Sequence, residues 1–175
     1  MIMKSNFEEI EPESLIESVF KLIGKDWMLI TAGTLEHFNT MTASWGGWGV
    51  LWERQVCFCF IRPQRFTRQF VEEARGFSLA FFSEKYRDRL EFCGSRSGRD
   101  IDKAAACGLT PIETSPGIIA FAEARLVMEC RKIYFQDLDP SHFIDPTITE
   151  FYPARDYHRM YIGELIRCWA RQETV

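Results

Sequence analysis

The sequence predicts a mainly β fold with inserted helices, an antiparallel barrel rather than a layered parallel sheet. Three observations carry that expectation. "QVCFCFIR", from Gln55 to Arg62, is a continuous apolar run of the kind expected for a strand buried on both faces. The stretch from Ile118 to Leu138 alternates: Ala122, Ala124, Leu126, Met128 and Cys130 point one way, and Glu123, Arg125, Glu129 and Arg131 the other. That is the period of a half-buried antiparallel strand. Strand-like segments are also interspersed with helical ones without regular βαβ alternation, which disfavours a doubly wound sheet.

Taken in order, "EPESLIESVFKLIG" reads as a short amphipathic helix. Pro12 stands where a helix can start, Gly24 where one stops, and Leu15, Ile16, Val19, Phe20, Leu22 and Ile23 form one apolar face. "DWMLITAG" and "TMTASW" read as two strands separated by "TLEHFN". "TRQFVEEARG" is a helix capped by Thr67 and closed by Gly76, with Phe70, Val71 and Ala74 inward. "FSLAFF" is a strand, and "SEKYRDRLEFCG" a helix between Ser83 and Gly94. After the loop "SRSGRD", a short helix ends at Gly108. "DLDPSHFIDPTITEFYPARD" is a loop-rich excursion, and "HRMYIGELIRCW" returns as the final strand. No linker or repeat divides residues 1–175, so a single domain is expected.

Composition narrows the class. Of 175 residues 46% are apolar and 26% charged, enough to close one core without disulfides or metal. A net charge of −4 argues against a nucleic-acid or anionic-membrane partner. No apolar run is long enough to cross a membrane, and "MIMKSNFEEIEPES" holds no export signal. The six cysteines form no C-x-x-C pair, so zinc is disfavoured and buried free thiols in a reducing cytoplasm are expected.

Chemistry points to an anionic, flat ligand. "NTMTASWGGWG", Asn39 to Gly49, combines small and hydroxylated residues, tryptophan and glycine. A flat polar molecule can approach such a backbone closely. "GGWGVLW" is no dinucleotide fingerprint, because the third glycine is missing, and "GSRSGRD" lacks the ending of a P-loop. In "IRPQRFT", Arg62, Arg65 and Thr67 surround a strand-to-helix turn. Either they hold a phosphate, as guanidinium forks and exposed helix N–H groups can, or they simply solvate and cap the turn. "SRSGRDIDK", with Ser95, Arg96, Ser97, Gly98, Arg99 and Lys103, is a second candidate anion loop or an ordinary polar one. Together the loops suggest a phosphorylated aromatic ligand. His37 and His142 fall in loops. His158 opens a strand, where it is either a satisfied structural histidine or a group reaching a cleft. No G-x-S-x-G elbow exists.

These motifs converge on a family. "NTMTASWGGWG", "FIRPQRFT", "CGSRSGRDIDK" with "GLTP", and "DYHRMYIGEL" occur in an order and at spacings that resemble the flavin reductase-like proteins, including flavoredoxins. The resemblance runs from about Trp27 to Leu165. It implies an FMN-binding split β-barrel of antiparallel Greek-key type, working as a homodimer with FMN near the subunit interface. Carried onto this chain, it implies that Asn39, Thr42, Ala43, Ser44 and Trp45 line the isoalloxazine, with Gly46, Gly47 and Gly49 turning the chain away. It gives Arg62, Arg65 and Thr67 the phosphate and ribityl tail, helped by Ser97, Gly98 and Lys103, and places His158 near the flavin. Many relatives carry Asp immediately before that histidine; here Tyr157 intervenes and Asp156 lies one further back, so an Asp–His pair is not implied.

The activity implied is an NAD(P)H-dependent flavin reductase, with NAD(P)H a transient reductant and electrons passed on to free flavin, a metal chelate or a partner protein. The alternative is a flavoredoxin-like FMN electron carrier reduced by a redox partner protein, its flavin face crowded by Trp45 or Trp48. A third is a split-barrel protein holding pyridoxal phosphate or haem.

Overall fold

The computed structural model describes residues 7–172; residues 1–6, part of the stretch expected to hold no export signal, and residues 173–175 lie outside it. The main sheet is built from β1 (Phe7–Glu9), β2 (Met28–Gly33), β3 (Phe38–Ala43), β4 (Gly46–Leu51), β5 (Arg54–Ile61), β6 (Gly76–Phe81), β9 (Leu126–Asp137) and β10 (Arg159–Arg171). Its order is β3-β2-β6-β9-β10-β5-β4, with β1 on the far end of β10, and every pairing is antiparallel. A separate hairpin joins β7 (Pro111–Ser115) to β8 (Ile118–Phe121).

The sheet rolls around one core. Met28 and Ile30 of β2, Met41 of β3, Cys57 and Cys59 of β5, Phe77 and Leu79 of β6, and Met128 and Cys130 of β9 belong to one buried cluster. Strands near opposite ends of the sheet thus face the same interior. The two edges, β3 and β4, are consecutive in the chain and meet at the corner Ser44–Trp45; among the described residues no ladder joins them. The barrel is therefore split at that corner.

A second cluster covers the outer face. Leu29, Ala80 and Val127 pack against Leu90 and Cys93 of α3 (Arg87–Ser95), Ala104 of α4 (Lys103–Cys107), and Ala120 and Phe121 of β8. Burial on both faces is why β6 is apolar throughout. β5, expected to be buried in the same way, is not. Phe58 and Phe60 remain partly exposed, because that outer layer does not reach it.

Several expectations are corrected. The first helix breaks into a 3₁₀ turn at Pro12–Ser14, one α-turn, α1 (Val19–Lys21), and a wider turn at Leu22–Asp26. Only Leu22 and Ile23 are buried, while Ile16 is 98% and Phe20 86% exposed. Leu15 and Val19 pack against the core only in part, so a segment this short has little to hold it as one helix. The alternating run Ile118–Leu138 is two strands, because the chain leaves the β7–β8 hairpin after Phe121 and enters the main sheet only at Leu126. "GGWGVL" is strand β4 rather than a turn. Gly46 is required there by close packing, since a Cβ would lie 2.6 Å from the Phe58 carbonyl oxygen; Gly47 and Gly49 face open space.

Thr67 opens α2 (Thr67–Glu73) but does not cap it; its hydroxyl accepts a hydrogen bond from Asn39 Nδ2 at 2.9 Å instead. Gly94 lies inside α3, and Ser83 precedes a 3₁₀ turn without capping it. α4 is capped by Asp102, which accepts from the Ala105 amide at 3.0 Å, and it ends at Gly108, whose φ of 63° suits glycine. The excursion after β9 folds into two 3₁₀ turns, Pro140–His142 and Pro146–Phe151.

Candidate functional site

The split corner opens into a cleft of about 260 Å³ lined by Met41, Thr42, Ala43, Ser44, Trp45, Phe60, Arg62, Arg65 and His158. Thr42 donates its hydroxyl proton to the Leu90 carbonyl, tying β3 to α3. Trp45 stands at the mouth, 40% exposed, with its ring 5.6 Å from Phe151 and 4.9 Å from His158. Trp48, by contrast, packs on Phe81 of the barrel core and takes no part in the cleft.

His158 is buried, and its Nδ1 is hydrogen-bonded to the Tyr152 hydroxyl at 2.9 Å. Burial first, and the Arg62 guanidinium second, lower its pKa to about 4, so it is neutral at pH 7. Asp156 does not orient it. That carboxylate accepts from Arg62 at 2.5 Å and Gln64 at 2.6 Å, and these bonds hold its pKa below the ordinary range. Arg62 also donates to the Phe151 carbonyl at 2.8 Å, which fastens the excursion to the cleft rim.

A second charged group lies deeper. Arg65 donates to the Gly94 carbonyl at 2.6 Å and the Cys93 carbonyl at 3.4 Å, and Lys103 donates to the same Cys93 carbonyl at 3.2 Å. Both cations thus sit on the C-terminal turn of α3, where carbonyl oxygens carry partial negative charge. Lys103 is only 4% exposed, and burial, aided by repulsion from Arg65, lowers its pKa to about 8. Burial also lowers that of Arg65. Their hydrogen-bond partners are backbone carbonyls rather than carboxylates, so the pair is uncompensated and suits an anion.

Around this pair is a pocket of about 150 Å³ that includes Gln64, Thr67, Ser97 and Gly98. Gly98 lies against Asn39, where a Cβ would come within 2.1 Å of Oδ1. The structure therefore gathers the singled-out residues into two ends of one site. Thr42, Ala43, Ser44, Trp45, Arg62 and His158 form the open end, and Asn39, Thr67, Ser97, Gly98 and Lys103 the charged end. Arg65 lines both. Asn39 belongs with the charged end, not beside Trp45. Sequence reasoning missed Phe60, hidden in an apolar run, and Tyr152, whose link to His158 exists only in three dimensions.

The rolled antiparallel sheet thus carries a cleft at its split corner with two uncompensated cations beyond it. Residues 21–175 match the family model described as the flavin reductase like domain, and the chain belongs to that family. Among solved structures it is similar to the flavoredoxin of Methanosarcina acetivorans (18% identity, TM-score 0.66, covering 86% of this chain and 70% of that one). It is similar also to an FMN-binding protein of Thermus thermophilus (19%, 0.68, 95% and 83%) and to nitrilotriacetate monooxygenase component B of Bacillus cereus (18%, 0.64, 91% and 79%). At these identities the likeness establishes the fold. No curated protein matches. Among the described residues no helix is long and apolar enough to cross a membrane.

Proposed function

We propose that this chain binds FMN across the joined clefts and acts as an NAD(P)H-dependent flavin reductase, passing electrons from nicotinamide to flavin and onward to an acceptor. The observation that carries the reading is the continuity from the β3–β4 corner through Arg65 to the buried Lys103. Bound FMN would supply the hydride acceptance and electron transfer that no side chain can provide.

The residues fit that group. Arg65 and Lys103 neutralise its phosphate, with the hydroxyls of Thr67 and Ser97 beside them. The backbone from Thr42 to Trp45 lies against the ring, and the small Ala43 and Ser44 permit close approach. His158 brings a neutral imidazole to the wall, so any proton it transfers comes from solvent and not from a standing imidazolium. Arg62, neutralised by Asp156, closes the rim and leaves the phosphate to Arg65 and Lys103. Val50 near the end of β4 and Trp52 in the β4–β5 turn, both exposed, and the partly exposed Phe58 and Phe60 of β5 support a homodimer, and six free cysteines support a cytoplasmic setting.

Trp45 favours a second reading. Wedged between Phe151 and His158 at the mouth, it crowds the ring position and would suit a flavoredoxin-like carrier reduced by a protein. An absorbance spectrum of the purified protein, followed by anaerobic NADH or NADPH, separates the two. Flavin bands that bleach promptly support the reductase. Bands that persist until dithionite support the carrier, and no bands after soaking with FMN overturn both.

A further inference from the structure

The hydroxyl that reaches His158 is set by the excursion rather than by the cleft. The 3₁₀ turn Pro146–Phe151 begins at Asp145, whose carboxylate accepts from the Thr147 amide at 2.9 Å. It closes with the Tyr152 amide donating to the Thr149 carbonyl at 2.9 Å. The Tyr152 ring is then held on several sides. Phe143 stacks on it at 6.0 Å, Tyr157 lies at 5.0 Å, and the Arg62 guanidinium stands 5.1 Å from its centroid. Tyr152 is 4% exposed and does not line the corner cleft.

The direction of its bond to His158 follows from counting donors and acceptors. Among the described residues the Tyr152 hydroxyl has no other hydrogen-bond partner, and burial raises its pKa, so it stays protonated. A proton on Nδ1 would leave the hydroxyl proton buried without an acceptor, an arrangement that folded proteins avoid. The hydroxyl therefore donates and Nδ1 accepts. A neutral imidazole carries one N–H, which then lies on Nε2. No carboxylate competes for the ring, because Asp156 is taken by Arg62 and Gln64. Among the described residues Nε2 has no protein partner, yet it is not a buried orphan, so it opens to the cleft that His158 lines.

We propose that Tyr152 is a positioning residue: it fixes His158 as the Nε2–H tautomer, so that His158 meets the cleft ligand as a hydrogen-bond donor and not as a base. The inference rests on the flavin reading above for its target. The edges of an isoalloxazine offer mostly acceptors, and a donor held there favours the ring more strongly once reduction has added negative charge.

Nitrogen-15 NMR of histidine-labelled, flavin-free protein at pH 7 tests the tautomer, with His158→Gln assigning the signals. Nε2 should appear as the protonated nitrogen and Nδ1 as the bare one. In Tyr152→Phe, which keeps the ring, the two shifts should move toward each other. Tyr157→Phe removes a neighbouring hydroxyl that has no bond to His158 and should leave them unchanged. In the FMN-loaded protein, Tyr152→Phe should lower the preference for dithionite-reduced over oxidised FMN ~3- to 10-fold, read as a midpoint potential lower by ~15–30 mV. A proton on Nδ1 in the wild type overturns the assignment, and so do shifts and potential unmoved in Tyr152→Phe, whatever its melting temperature. Either result leaves the flavin reading standing. Binding of no FMN overturns the flavin reading and the donor's target with it, while the wild-type nitrogen shifts still decide the tautomer.

Discussion

Replacing Lys103 by methionine should strengthen the flavin-free protein while weakening flavin binding. The ammonium is 4% exposed, and its pKa falls from 10.5 to about 8 on folding. At pH 7 it is charged in both states, and each unit of that fall corresponds to ~1.4 kcal/mol, so charge burial costs the folded state on the order of 3 kcal/mol. Methionine removes that cost and keeps much of the volume. It also takes a donor from the Cys93 carbonyl, which costs about 1–2 kcal/mol. A net gain of about 1–2 kcal/mol corresponds to a melting temperature higher by roughly 2–6 °C. Binding moves the other way, because a charge-assisted contact to phosphate disappears and Kd for FMN should rise ~10- to 100-fold.

The pH dependence has a definite sign. The folded pKa lies below the unfolded one, so between about 8 and 10.5 the unfolded chain holds more protons. Wild-type stability therefore gains from this group as pH rises through that window. The advantage of the methionine variant should shrink above pH 8, disappear about one pH unit higher, and reverse by pH 10, where the lost contact to the Cys93 carbonyl is what remains. Thermal melts of both flavin-free proteins at pH 7 and pH 10, with FMN titrations at pH 7, measure each quantity. A variant less stable at pH 7, or one that binds FMN as tightly as wild type, would refute the assignment of Lys103 as an anion-binding cation.

Three further outcomes are expected. Gly98→Ala places a methyl within 2.1 Å of Asn39 Oδ1, so the amide must move from Thr67; about 1–3 kcal/mol of stability should be lost, visible as a lowered melting temperature, and an unchanged one would count against the contact. His158 has a folded pKa of about 4 against 6.5 unfolded, so its contribution is full above pH 6.5 and lost as pH falls toward 4, up to about 3 kcal/mol; melts of His158→Gln should show a flatter profile in that window. Trp45→Ala should speed NADH bleaching of the FMN-loaded protein several-fold where Trp45 blocks the ring; an unchanged stopped-flow rate would remove the support for the carrier reading.

Much of the site was legible locally. Arg65, Thr67, Ser97, Gly98 and Lys103 fall in two short motifs, and the small residues of Thr42–Ser44 in a third, because each motif must present several groups from adjacent positions. What each group does was less legible. Thr67 reads as a helix cap but bonds Asn39, 28 residues away, and Arg62 reads as a phosphate ligand but is neutralised by Asp156, 94 residues on. Periodicity also misled. The Ile118–Leu138 alternation continues through a corner, since the residues of the break keep the same apolar-polar order as the strands beside it. The first helix carried an apolar stripe of which Leu22 and Ile23 are buried and Leu15 and Val19 pack against the core, while Ile16 and Phe20 find nothing to cover them.

By itself the sequence determined the strand-rich class, the helix stop at Gly108 and the residue types available for an anion, because these follow from local backbone preference and side-chain chemistry. Only the tertiary structure decided that β3 and β4 meet as the open edges of a rolled sheet, and that Lys103 and Arg65 converge on the last turn of α3. It alone joins the charged pocket to the corner cleft through Arg65. Such convergence depends on the register of strands and the packing of helices distant in the chain, and no local pattern encodes it.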